Sequence, residues 1–298
     1  MASRNYWDKR MSQLLDAQDK KDLKFTRKMA KEYDRTAAAI DKDIAAYYAK
    51  YAVEDVIEYR KLVERLSKDE RDLLYKNYDA FAEKYPEYKS LMPIRESIYR
   101  LNRLEGLQIS IQQHLLDLGA IEQEEFRKHL TAAIETGYLS TMRDLQNSTS
   151  FFGLNSAVLE KTLNSRWVNE ENFSDRIWGN KQKLVRSLNS EVRDAFIRGE
   201  GYAAMTKIIQ NRTGVGKYAA KRLVMTESAF MMTQANGQAF MDEGILRYGC
   251  SAVGDSKTSE FCQNIDGKEF LFKEAKVGIN YPPFHSFCRT TVYPVEND

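Results

Sequence analysis

Cysteine is scarce. The chain of 298 residues holds three, Cys250, Cys262 and Cys288, all within its last fifty residues. An odd, sparse set excludes a disulfide framework and leaves free thiols or a ligand role. Proline (5) and glycine (15) are few for this length, which argues against a loop-rich or all-β chain and for long helices. No apolar run approaches the roughly 18 residues that a membrane span needs. The first ten residues, Met-Ala-Ser-Arg-Asn-Tyr-Trp-Asp-Lys-Arg, are charged where a secretory signal would be apolar, so the cytoplasm is the expected place of synthesis and residence. Catalytic signatures are missing too. There is no Gly-x4-Gly-Lys-[Ser/Thr] phosphate loop and no Gly-x-Ser-x-Gly nucleophile turn. None of His114, His129 and His285 begins the His-x-Glu of a zinc deaminase. The expectation is a protein that is not an enzyme.

What is present is helix. From Phe25 the positions Met29, Tyr33, Ala37, Ile40, Ile44, Tyr47 and Tyr51 continue a three-to-four spacing with no proline or glycine, which predicts one long amphipathic helix. Its other face, with Lys20, Lys21, Lys24, Arg27, Lys28, Lys31 and Arg35, reads first as a solvated surface. Ser67 and Glu70 have capping-box spacing, Tyr85-Pro86 stops the pattern that follows, and Pro93 suits the first turn of a helix running to about Leu118-Gly119. Another helix is expected over Glu122–Leu145. The polar stretch Gln146–Ser150, with Gly153 beyond it, reads as a linker. It divides a charged helical N-terminal arm (1–146) from a C-terminal domain (147–298). In that domain helices are expected from about Asp175 to Gly199, from Tyr202 to Asn211, and, after the turn Thr213-Gly214-Val215-Gly216, from Lys217 to Asp242. The segments 246–253, 269–272 and 288–295 are β-like. The fold class expected is therefore mainly α, with a long N-terminal helical arm and a small C-terminal α+β module over 245–298.

The net charge of +2 is uninformative as a total. Locally, Arg176–Arg222 carries eleven Lys or Arg against Glu191, Asp194 and Glu200. Lys181, Lys183, Arg186, Lys217 and Lys221 are the candidate contacts to duplex phosphate, non-specific in sequence because no Arg, Asn or Gln set suits base edges. The two helices around Gly214 have a helix-turn-helix outline.

From Arg222 the chain reads Arg-Leu-Val-Met-Thr-Glu, then Gly-Asp-Ser-Lys-Thr-Ser-Glu-Phe-Cys, Ile-Asp-Gly-Lys-Glu-Phe and finally Pro-Pro-Phe-His-Ser-Phe-Cys-Arg. This succession resembles the C-terminal signature of the phage Mu F-like minor head proteins, over roughly 175–294. The matching positions are Arg222, Thr226, Glu227, Asp255, Thr258, Cys262, Asp266, Gly267, Pro282, Pro283, His285, Cys288 and Arg289. The resemblance implies a minor capsid protein of a tailed phage, found in the virion and, during assembly, in the host cytoplasm. Its implied partners are the portal, scaffold and major capsid proteins, with packaged duplex DNA as a further one. The alternative function is a non-specific DNA-binding protein that accompanies the genome during packaging or ejection. Many members of the family pair their cysteines, whereas Ser259 and Thr290 stand at the partner positions here.

Two readings of Cys262, His285 and Cys288 stand side by side. One makes them zinc ligands, with Asp255 or Cys250 as a fourth. The other, favoured because only His285-x2-Cys288 is a close pair, has His285 and Cys288 fixing a tight turn with no cofactor. Arg222, Thr226, Glu227 and Asp255 are expected to anchor the helix to an Asp266-Gly267 hairpin, where glycine tolerates positive φ.

Overall fold

A computed structural model describes residues 3–93, 95–145, 154–256 and 258–297. The protein is mainly α with a small three-stranded sheet near its C-terminus, as expected. In chain order the elements are α1 (Arg4–Tyr51), α2 (Tyr59–Leu62), α3 (Lys68–Lys84), two 3-10 turns, α4 (Arg103–Leu145), α5 (Ser156–Leu163), a further 3-10 turn, α6 (Phe173–Ile197), α7 (Tyr202–Asp242), β1 (Arg247–Ser251), α8 (Glu260–Ile265), β2 (Glu269–Leu271), a last 3-10 turn and β3 (Thr291–Val295). Among the described residues no helix is long and apolar enough to cross a membrane.

Two compact units form, each drawing on both halves of the sequence. The first comprises 1–27, 125–176 and 220–298, the second 28–124 and 177–219. The boundary expected near residue 146 falls among residues outside those described.

Caps explain where the helices start. Ser67 and Glu70 form the reciprocal capping box of α3. Asn102 with Glu105 does the same for α4, and Asn172 with Asp175 for α6. Pro93 does not open the helix that follows. The chain passes through 3-10 turns at Pro86–Leu91 and Arg95–Arg100 until Asn102 supplies the cap. α1 begins well before Phe25, because the same periodicity runs back through Trp7, Met11, Leu14, Gln18 and Asp22, all buried in the first unit.

Two expected breaks are absent. α4 runs straight through Gly119 and α7 through Gly214 and Gly216, so there is no helix-turn-helix. Gly119 and Gly216 are points of close packing rather than turns. A Cβ on Gly119 would lie 2.6 Å from the Trp178 ring, and one on Gly216 would lie 2.5 Å from Tyr33. A missing side chain admits a large aromatic there, and the exposed Gly214 merely sits in the same helix.

In the first unit α1, α4 and α7 pack on the sheet. Strand order is β2-β1-β3, antiparallel throughout, with Tyr248 opposite Phe270 on one side and Pro294 on the other. Trp7, Met232, Phe240, Tyr248 and Val292 lie in its core. The second unit has its own core around Leu66, Leu74, Tyr78, Phe81, Ile98 and Leu116.

These glycines make opposite forecasts. Gly216→Ala forces its methyl against Tyr33 and should cost about 1–3 kcal/mol, while Gly214→Ala, with open space around it, should stabilise by up to about 1 kcal/mol. Thermal unfolding of the two variants checks this, and stabilisation by both would contradict the packing role.

Candidate functional site

The first unit holds a cavity of about 570 Å³. Gln18, Asp19 and Asp22 of α1 and Lys221 and Met225 of α7 line one part of it, and the C-terminal module lines the rest. At its wall Cys262, His285 and Cys288 offer donor atoms that all lie within 4.8 Å of one another. Cys262 Sγ is 3.2 Å from His285 Nε2 and 3.8 Å from Cys288 Sγ.

Local sequence brings them together. Ser259 caps α8, its Oγ accepting from the Cys262 amide at 3.3 Å, so Cys262 occupies the first turn of that helix and points inward. The same hydroxyl lies 3.1 Å from His285 Nε2. The chain then turns sharply at Phe287, which takes a φ of +61°, and the Cys288 amide donates back to the His285 carbonyl at 3.2 Å. His285 Nδ1 lies 2.9 Å from the Ser286 carbonyl. A carbonyl only accepts, so Nδ1 is the donor in this contact and Nε2 is the nitrogen that faces the thiols.

The thiols are protected. Cys262 and Cys288 are buried, and burial pushes the Cys288 thiol up from its ordinary range, with backbone hydrogen bonds opposing. Cys250 is further raised to about 12 by burial, and its Sγ donates to the Asn280 carbonyl at 3.4 Å, away from the cluster. A raised thiol, as at Cys250 and Cys288, is a poor nucleophile. Neither Cys250 nor Asp255 joins the three-residue group among the described residues. Asp255 instead accepts from Thr258 Oγ1 at 3.1 Å and lies 3.6 Å from Arg289. Arg289 also meets Asp16 and Asp19 of α1. Burial, opposed by Arg289 and reinforced by Asp22 and Asp16, pushes the Asp19 carboxyl upward.

The four residues expected to anchor α7 to the Asp266-Gly267 turn do not do so, and only Thr226 reaches the C-terminal module. Thr226 Oγ1 donates to the Arg222 carbonyl at 2.8 Å and accepts from the Phe287 amide at 3.4 Å, tying α7 to the turn that carries His285 and Cys288. Arg222 itself is exposed. Glu227, with no exposed surface, does not reach the Asp266-Gly267 turn: it pairs with Arg176 and accepts from Trp167 Nε1 at 3.2 Å. Burial pushes its carboxyl up and Arg176 and Trp167 pull it down. Trp167 in turn lies under Arg176 and stacks on Phe230. Asp266 accepts from Arg4 at 2.8 Å and from the Ala252 amide at 2.9 Å, and Gly267, at a φ of +73°, turns α8 into β2 rather than closing a β-hairpin.

Of the expected phosphate contacts, Lys181 is overturned by its burial. Lys181 is 1% exposed and is bound to Glu122 and Tyr33, so it cannot reach phosphate. Lys217 pairs with Asp34. Arg193, Arg198 and Arg212 pair with Asp194, Glu200 and Glu191. Lys221 is half-buried at the cavity, which leaves Lys183 and Arg186 exposed on α6. Neither the Asp22–His129 pair at 2.6 Å nor the capping hydroxyl of Ser259 was expected from spacing.

Breaking the Arg176–Glu227 pair from either side should be costly. Glu227→Ala and Arg176→Ala are each expected to destabilise by about 3–5 kcal/mol, and the double variant by less than their sum. Denaturant unfolding of the four proteins tests it, and additive losses would show that the pair is not the relevant contact.

Residues 186–293 match the family model described as Phage Mu protein F like protein. No curated protein and no solved structure matches the chain.

Proposed function

We propose, from a chain that is phage Mu F-like over residues 186–293, that it is a minor capsid protein of a tailed phage, built into the procapsid near the portal. That likeness, which points to phage head morphogenesis, is the observation that carries the reading. It coincides with the second half of α6, all of α7 and most of the sheet module.

The distribution of charge supports protein contacts over genome contacts. Six of the eleven cations between Arg176 and Arg222 are committed to acids within the fold, namely 176, 181, 193, 198, 212 and 217. A protein that coats duplex DNA needs many cations turned outward, because affinity comes from the number of phosphates neutralised. Portal, scaffold or shell protein is therefore the better partner class for the helical surfaces, with the buried thiols and histidine holding shape rather than turning over substrate.

Peptides of the chain should be recovered from purified virions and procapsids of its phage by quantitative mass spectrometry, at few copies relative to the shell protein. Absence from both particles would overturn the proposal.

A further inference from the structure

The geometry points to a zinc site formed by Cys262 Sγ, Cys288 Sγ and His285 Nε2, with Ser259 Oγ on the fourth side, cross-linking α8 to the C-terminal turn. The distances carry it. Zinc bonded to two thiolates at about 2.3 Å in a tetrahedron sets the sulfurs about 3.8 Å apart, and a thiolate and an imidazole nitrogen about 3.5 Å apart. The observed separations are 3.8 Å for Cys262 to Cys288 and 3.2 Å for Cys262 to His285. The third edge, Cys288 Sγ to His285 Nε2, is within 4.8 Å, so closing it to about 3.5 Å takes a movement of at most about 1.3 Å.

A second, independent feature is the far side of the ring. The Nδ1–H of His285 is held by the Ser286 carbonyl at 2.9 Å, the arrangement that fixes a ligating histidine in its tautomer and aims Nε2 at the ion. Each ligand sits on a constrained piece of backbone: Cys262 in a capped helical turn, His285 and Cys288 on either side of the positive-φ residue Phe287, itself tied to Thr226. Ser259 Oγ lies 3.1 Å from His285 Nε2, beside the ligand set at the wall of the cavity. Binding forms three protein–zinc bonds and sends two thiol protons to solvent. Nothing is oxidised or reduced.

The full-length chain, expressed with added zinc and purified under reducing conditions without chelator, should retain about one zinc per molecule. Cobalt(II) in its place should give the thiolate-to-metal charge-transfer band and the intense visible absorption of a tetrahedral site. Cys262→Ala and His285→Ala should lose that spectrum and Cys250→Ala should keep it. Should the first two fail to fold, Ser259→Cys supplies the check: with a third thiolate, release of zinc to a chelator should slow by on the order of tenfold. A folded wild-type chain that takes up no cobalt with thiolate character, or a Ser259→Cys variant that releases zinc as fast as wild type, would overturn the site.

Discussion

A carboxylate with no exposed surface, in the middle of a helix buried on almost every side, must have a charged partner or the helix cannot sit where it does. Glu227 is that carboxylate and Arg176 is the partner, with the Trp167 N–H as the second donor. Desolvating the pair is expensive, so it adds little to stability on balance. Removing either member, however, strands a buried charge. The pair thus fixes the part of α7 that lies in the first unit. One residue before it, Thr226 accepts the Phe287 amide, and the turn at Phe287 sets His285 and Cys288 against Cys262. The position of the thiol and imidazole cluster is in this sense a consequence of where α7 is held.

The second unit solves the same problem in the same way. Lys181 and Glu122, each 1% exposed, pair beneath Tyr33, whose phenol is raised well above its ordinary value by burial and by that carboxylate. Lys181, one of the expected phosphate contacts, is spent inside the fold. Long helices with thin apolar stripes can pack closely only where backbone or aromatic surfaces come near, and Gly119 and Gly216 are where that happens, beneath Trp178 and Tyr33. In a sequence, a glycine inside a sustained 3.6-residue pattern is ambiguous between a turn and a close approach, and only the partner across the helix decides it.

Much of the architecture was legible because helical periodicity and caps are local. The box at Ser67–Glu70, the strands at 247–251, 269–271 and 291–295 and the long N-terminal helix all follow from short-range patterns. The start of α1 was not read from the sequence, because the charged stretch between Asp16 and Lys24 interrupts the apolar spacing that Trp7, Met11 and Leu14 begin. Partnerships across the sequence were not legible. A charged residue on an apolar stripe, as Lys181 is between Ile177 and Leu184 and Glu122 between Leu118 and Phe126, announces a buried pair without naming the other member. Cys262 and the His285–Cys288 pair lie 23 residues apart, and only the cap of α8 and the Phe287 turn make them neighbours. The likeness to phage Mu protein F over residues 186–293 coincides with this tied region.

Amide hydrogen exchange on Glu227→Gln, which keeps the shape of the side chain and removes its charge, tests the dependence of the C-terminal cluster on the buried pair most directly. The account predicts lost protection in α7 around residues 223–230 and, with it, in residues 259–262 and 285–288. Loss confined to residues 167–176, with the cluster as protected as in the wild-type chain, would contradict it.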